Sequence, residues 1–198
     1  MKRPLLALIL TFSMILSACS SNANELFREG IVEFINNEYI LHDTVSSVTD
    51  SSNFSEIYVA ENQSIEQVAS NLISHEQPVE ISENKEGKQV LIYNDLFVII
   101  TEDLENPSNT FVEVANKEFV RNNYSPDFFD GLFLLWVLDE VLDVDDWGKK
   151  RNQQCKQYPE NCYGGYYGTG GGFKGINKTP TVRGGSSNVR GGGPGAGK

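Results

Sequence analysis

The fold of this chain is decided by QVLIYNDLFVIIT, residues 89–101. Residues 89–93 are apolar and β-prone, Asn94-Asp95 is a polar turn, and residues 96–101 are almost wholly apolar. This pattern predicts two strands joined by a tight turn. The second strand lacks polar alternation, which is typical of a central strand that is buried on both faces.

Alternating segments lie on both sides of this hairpin. Residues 79–82 precede it across a turn at 84–87, and residues 110–115 follow it after a polar loop. Short polar connections favour antiparallel pairing, so the sequence predicts a small antiparallel sheet of about four strands. Residues 54–60 also alternate and predict a strand ahead of this sheet.

Two stretches in the first half of the chain predict helices. Residues 26–41 place apolar side chains on one stripe, although Gly30 weakens the pattern. Ser64 and Gln67 match a capping box, and the apolar spacing after them predicts a helix that Pro78 ends. We therefore expect an α+β fold of two layers, with two to three helices packed on the sheet.

A further helix is predicted over residues 126–142, because Ser125 is a favoured N-cap and Pro126 suits a first turn. Its middle, residues 132–138, is apolar all round. Such a helix is either buried or presents a second face to a membrane or a partner, and it is too short to span a bilayer. We expect burial, with an envelope protein that docks on helix 126–142 as the alternative.

The N-terminus has the features of an export signal: a short basic head and an apolar run that is shorter than a membrane span. The LSAC sequence at residues 16–19 resembles the bacterial lipobox, in which the cysteine receives a diacylglycerol and becomes the first residue after cleavage. The sequence thus predicts a lipoprotein signal peptide over residues 1–18, a lipid on Cys19 and a spacer over residues 19–25. An ordinary cleaved signal is the alternative.

Charge divides the mature chain into two parts. Residues 19–148 contain 26 acidic and 5 basic residues, whereas residues 149–198 contain 9 basic residues and one acidic residue. We expect an acidic α+β domain over residues 26–148 and a basic, Gly/Arg-rich, disordered tail over residues 149–198, which has too few apolar residues to offset the entropy of folding. The tail would contact anionic wall polymer or lipid headgroups, or fold back onto its own acidic domain.

Two cysteines remain besides the predicted lipidation site. Cys155 and Cys162 are close in sequence and would tend to oxidise outside the cytoplasm, so a disulfide is predicted, with two free thiols as the alternative. No metal site is predicted, because His42 and His75 are the only histidines and neither lies near this pair in sequence.

The sequence contains no convincing catalytic motif. Neither H-E-x-x-H nor G-x-S-x-G occurs, and the acidic residues between 139 and 146 lack the spacing of a calcium loop. Residues 192–198 match the start of the phosphate-loop pattern, but no strand precedes them, so we reject this motif. The Arg-Gly-Gly repeats are also typical of RNA-binding tails, but RNA binding does not fit an exported protein. We expect no enzymatic activity, no cofactor and no nucleic-acid partner.

The segment FVRNNYSPDFFDGL, residues 119–132, resembles an uncharacterised family of Gram-positive lipoproteins, the domain of unknown function four-two-four-seven. The Ser64 helix and the glycine-arginine tail are similar too, so the resemblance covers most of the mature chain. It implies an envelope protein that tends to be encoded beside membrane-stress genes of the phage-shock type. It brings no catalytic residues to this chain.

Together these features predict a lipid-anchored cell-envelope protein on the extracytoplasmic face of the cell membrane, held there by the lipid on Cys19. The protein would be a binding or structural module linked to membrane or envelope stress. The alternative is an accessory hydrolase or ligand-binding lipoprotein whose pocket is built from dispersed carboxylates.

Overall fold

A computed structural model of the chain describes residues 30–47, 50 and 52–166. The predicted signal peptide, Cys19, the spacer and the part of the tail after Tyr166 lie outside these residues. The elements in chain order are α1 (Ile31–Glu38), β1 (Ile40–Ser46), β2 (Phe54–Ala60), α2 (Ile65–His75), β3 (Glu80–Ile81), β4 (Lys88–Ile92), β5 (Leu96–Glu102), β6 (Thr110–Asn116), α3 (Lys117–Asn123), a 3₁₀ turn (Pro126–Phe129), α4 (Leu135–Val141), α5 (Trp147–Gln157) and a second 3₁₀ turn (Pro159–Asn161).

The strands form one antiparallel sheet in the order β1-β2-β6-β5-β4-β3. The antiparallel pairing is confirmed, but the sheet has six described strands rather than about four. One additional strand is the edge strand β1, whose first two residues, 40 and 41, were predicted to be the end of a helix over 26–41. In the structure α1 stops at Glu38, because Tyr39 adopts an extended conformation with φ −119° and ψ 157°. The chain therefore leaves the helix directly into a strand.

Helices cover both faces of the sheet. On one face α1 and α2 pack over a cluster that includes Leu91 and Val98, and on the other α3, α4 and α5 pack over Phe97 and Ile99. The domain consequently has three layers, and the expectation of two layers is wrong. Residues 97–100 of β5 are fully buried, which confirms the central strand predicted from its unbroken apolar run.

The capping box predicted at Ser64 is present. The backbone N–H of Gln67 donates to Ser64 Oγ at 3.4 Å, and the backbone N–H of Ser64 donates to Gln67 Oε1 at 2.8 Å. These two bonds satisfy donors that the first helical turn leaves unpaired. The helix that follows is α2, with Val68 and Leu72 fully buried against the sheet.

The continuous helix predicted over residues 126–142 is wrong. A 3₁₀ turn over Pro126–Phe129 comes first, the chain then turns at Gly131 with φ +74°, and helix resumes only as α4. A positive φ is readily adopted by glycine and costs other residues free energy, so the backbone breaks there. Among the described residues, no helix is long and apolar enough to cross a membrane.

The structure differs from the predicted boundary at residue 148. Residues 149–166 are part of the folded domain, because α5 extends to Gln157 and the rings of Tyr163 and Tyr166 are buried in the core. The backbone N–H of Tyr163 donates to Asn123 O at 2.7 Å, and Ser125 N–H donates to Tyr163 O at 2.7 Å. The acidic domain therefore extends at least to Tyr166.

Arg151 holds this C-terminal segment against the end of α3. Its side chain is buried, and its guanidinium donates to Tyr124 O at 3.0 Å, to Asn123 O at 2.8 Å and to Asn161 O. Burial lowers the pKa of this guanidinium. One cation therefore joins backbone carbonyls from both sides of the contact, which explains how a segment with few apolar residues can dock.

Candidate functional site

The predicted lipidation site and the predicted disulfide have different outcomes. Cys19 lies outside the described residues and stays a prediction. Cys155 and Cys162 are joined by a disulfide with an S–S distance of 2.00 Å, so of the two alternatives the structure contains the bridge. The bridge connects α5 to the residue after the second 3₁₀ turn and so closes the loop between them.

The two histidines do not converge with each other. His42 lies on β1, with its ring centroid 5.3 Å from that of Phe111 and 6.0 Å from that of Tyr166. His75 ends α2 and stacks on Phe34 at 4.2 Å. The two rings thus belong to opposite layers of the domain, and neither completes a nucleophile–base pair with the other.

Two of the acidic residues between 139 and 146 have structural partners. Asp139 Oδ1 accepts a hydrogen bond from the backbone N–H of Trp147 at 2.9 Å, and Asp143 forms an ion pair with Lys117 at 2.9 Å. Within residues 30–47, 50 and 52–166, no group of three or more His, Cys, Asp or Glu residues is arranged to hold a metal ion.

The apolar run of the broken helix leaves two large side chains exposed. Leu134 and Trp136 keep 67% and 61% of their surface accessible, whereas Leu138 and Leu142 are fully buried. Some apolar side chains of this run therefore pack in the core, and others are exposed to solvent. Because both faces of the sheet are already covered, the two exposed side chains are not required to complete the core.

A buried carboxyl group lies between the sheet and the layer formed by α3, α4, α5 and the residues that follow α5. Glu113 of β6 is fully buried, and Tyr163 Oη donates to its Oε2 at 3.1 Å. Burial raises the pKa of Glu113 to about 7, although hydrogen bonding by Ser55, Tyr124 and Tyr163 and by the Tyr166 backbone opposes this rise. Since the group has no access to solvent, we assign it to the stability of the domain.

A groove of about 680 Å³ opens on the other face of the sheet, between α1 and strands β1, β2, β5 and β6. Five apolar side chains line it, from Val32, Leu41, Phe54, Leu96 and Val114, and Leu41 and Phe54 at its edge are 43% and 39% exposed. The polar groups that line it are two carboxylates, three amides, a phenol and a hydroxyl, from Glu33, Glu56, Asn36, Asn37, Asn116, Tyr58 and Ser52.

The Glu56 carboxylate in this groove is fixed by a neighbour. Tyr58 Oη donates to Glu56 Oε2 at 3.0 Å, and both burial and the charge of Glu56 raise the pKa of Tyr58. The phenol therefore keeps its proton and acts as a hydrogen-bond donor to Glu56. A carboxylate held in this way, with amides and exposed apolar side chains around it, can bind a cation that carries hydrogen-bond donors and a flat or apolar surface.

Sequence reasoning did not find the groove or the buried carboxyl. The groove gathers residues from a helix, a loop and four strands that are distant in the chain, so no local pattern marks it. Glu113 did leave a signal, since it is a charged residue inside an otherwise apolar strand. Such a residue in a central strand points to a buried polar cluster.

The fold and the groove define a three-layer α+β domain with an acidic, aromatic-edged groove on one face of its sheet. The family model described as Domain of unknown function (DUF4247) matches residues 14–194, and the chain belongs to this family. The resemblance first seen at residues 119–132 is thereby confirmed. No curated protein and no solved structure matches the chain.

Proposed function

We propose that this protein is a lipid-anchored binding module of the cell envelope, linked to membrane or envelope stress. A lipid on Cys19 would hold the acidic domain at the extracytoplasmic face of the cell membrane. Residues 167–198 carry five basic residues and no acidic residue, which suits contact with anionic wall polymer or lipid headgroups. The lipobox-like LSAC sequence and the charge division support this assignment.

The observation that carries the binding role is the exposure of Leu134 and Trp136 at the start of α4. The predicted docking helix 126–142 is not continuous, so the proposed contact is reduced to this pair. Tryptophan is enriched among the residues that dominate protein–protein binding energy, because it buries a large apolar area in one side chain. We assign the pair to an envelope protein partner.

A photoreactive phenylalanine derivative in place of Trp136 tests this partner in intact cells. We expect a discrete crosslinked protein from position 136, because the apolar pair would lie at the centre of the contact. The same derivative in place of Lys150, which is exposed on α5, is the matched control. Absence of an adduct at position 136, or an identical adduct from position 150, would contradict the proposed contact.

A ligand-binding lipoprotein is the second candidate, and the groove is the observation that favours it. Glu33 and Glu56 are the dispersed carboxylates that this alternative requires, and both line the same concave surface. The hydrolase form of this candidate also requires a nucleophile or a base beside them. His42 and His75 are not among the residues that line the groove, so the groove favours binding over hydrolysis.

A further inference from the structure

The chemistry of the groove selects a guanidinium-containing occupant. Glu33 and Glu56 supply negative charge, the three amides supply hydrogen-bond acceptors, and Phe54 offers an exposed ring at the edge. A guanidinium group has a fork of five N–H donors that pairs with carboxylates and stacks on aromatic rings. Phosphate-rich polymers, in contrast, would be repelled by both carboxylates.

The chain itself carries such groups directly after the described domain. Residues 30–166 contain 25 acidic and 8 basic residues, whereas residues 167–198 contain five basic residues and no acidic residue. Two of the five are arginines, each followed by glycines, in Arg183-Gly184-Gly185 and Arg190-Gly191-Gly192. Glycine has no Cβ, so the backbone beside each arginine can approach a surface closely.

The position of Tyr166 sets where this segment leaves the domain. Its carbonyl oxygen accepts a hydrogen bond from Thr101 Oγ1 of β5 at 3.1 Å, and its Oη reaches across the sheet to donate to Asp43 Oδ2 on the edge strand β1 at 3.4 Å. The groove lies on the opposite face of the same β1–β2 hairpin, with Leu41 and Phe54 at its edge. The 32 residues after Tyr166, at roughly 3.4 Å per extended residue, are long enough to pass around this edge.

We propose that the groove lined by Glu33 and Glu56 is the intramolecular docking site of the basic segment 167–198, with Arg183 or Arg190 bound to the two carboxylates. This contact goes beyond the proposed function and does not depend on the lipid anchor. Docking neutralises the groove and the arginines together. Anionic polymer then competes with the groove for the same arginines, and its binding frees the groove for another ligand.

A spin label in the basic segment tests the contact in the full mature chain. The protein carries Cys19→Ala to remain in solution and Ser187→Cys for the label, while the Cys155–Cys162 disulfide occupies the other two cysteines. We expect the label to remove most of the amide NMR signal intensity at Glu33 and Phe54. Signals from residues 139–146, which include five acidic residues but belong to the opposite layer, should keep their intensity.

The double variant Glu33→Gln/Glu56→Gln should restore the lost intensity at the groove. The control Glu80→Gln/Glu83→Gln removes the same charge from exposed positions at and just after β3, and we expect it to leave the broadening unchanged. Thermal unfolding of each variant shows whether it remains folded. Raising the salt concentration should weaken the contact, since exposed charges are screened.

Four results would overturn the proposal. The first is a groove whose signals keep their full intensity in the spin-labelled chain. The second is broadening spread equally over the groove and residues 139–146, because this would indicate a non-specific attraction of opposite charges. The third is broadening that survives the Glu33→Gln/Glu56→Gln substitution. The fourth is signal loss at the groove when isotope-enriched chain without a spin label is mixed with spin-labelled chain. This result would show contact between two copies rather than an intramolecular site.

Discussion

Glu113→Gln is expected to abolish most of the fall in unfolding free energy that the wild-type domain shows between about pH 5 and pH 7. The folded-state pKa of Glu113 is raised from 4.5 to about 7 by complete burial. Over this range the unfolded chain releases the proton while the folded chain retains it, so the free energy of unfolding falls as pH rises. A shift of this size corresponds to about 3 kcal/mol, and the effect is complete once the pH exceeds the folded-state pKa.

Urea unfolding at a series of pH values measures this effect, with the disulfide kept intact. Glu61→Gln is the matched control, because Glu61 is exposed. Hydrogen bonds lower the pKa values of Asp50 and Glu66, which gives these groups the opposite sign of pH dependence, but they are unchanged in both variants. If Glu113→Gln retains the full wild-type loss of stability with rising pH, the buried cluster is not its source.

Arg151→Ala is expected to destabilise the domain by about 3 kcal/mol or more, because charge-assisted hydrogen bonds are worth roughly 1.5–3 kcal/mol each and buried carbonyls would lose their donor. The guanidinium contacts Asn123 O, Tyr124 O and Asn161 O, which belong to both sides of the C-terminal contact. Denaturant unfolding of the full mature chain measures the loss.

Lys150→Ala is the control for this substitution, since Lys150 is the exposed neighbour of Arg151 on the same helix. It removes one positive charge and shortens one long side chain without affecting the contact with α3. Equal stabilities of the two variants would show that residues 149–166 contribute little to the fold, as the predicted domain boundary at residue 148 would require.

The parts of the fold that follow a local pattern could be predicted from the sequence. The capping box at Ser64 and the central strand over residues 96–101 are examples, because capping bonds and double-sided burial each leave a short, direct signature. The run over residues 132–138 shows the limit of such reasoning. Its composition is equally compatible with one buried helix or with a break, and the turn at Gly131 decides between them.

The C-terminal boundary and the groove could not be predicted for a different reason: both depend on contacts between distant parts of the chain. α5 is rich in Lys, Gln and Asn and has a weak apolar pattern, so its docking depends on Arg151, Trp147 and the buried rings that follow it. The groove is assembled from α1 and the sheet. Composition predicted that the domain is acidic and that the C-terminal segment is basic. It could not predict which surface of the domain would bind the basic segment.

The lipid anchor is tested most directly by the distribution of a Cys19→Ala variant between washed membranes and the soluble fraction. We expect the wild type and a Ser20→Ala control to stay with the membranes through washes without detergent. The Cys19→Ala protein should be released, because the alanine cannot accept the lipid. If Cys19→Ala remains in the washed membranes to the same extent as the wild type, the protein is not anchored through Cys19.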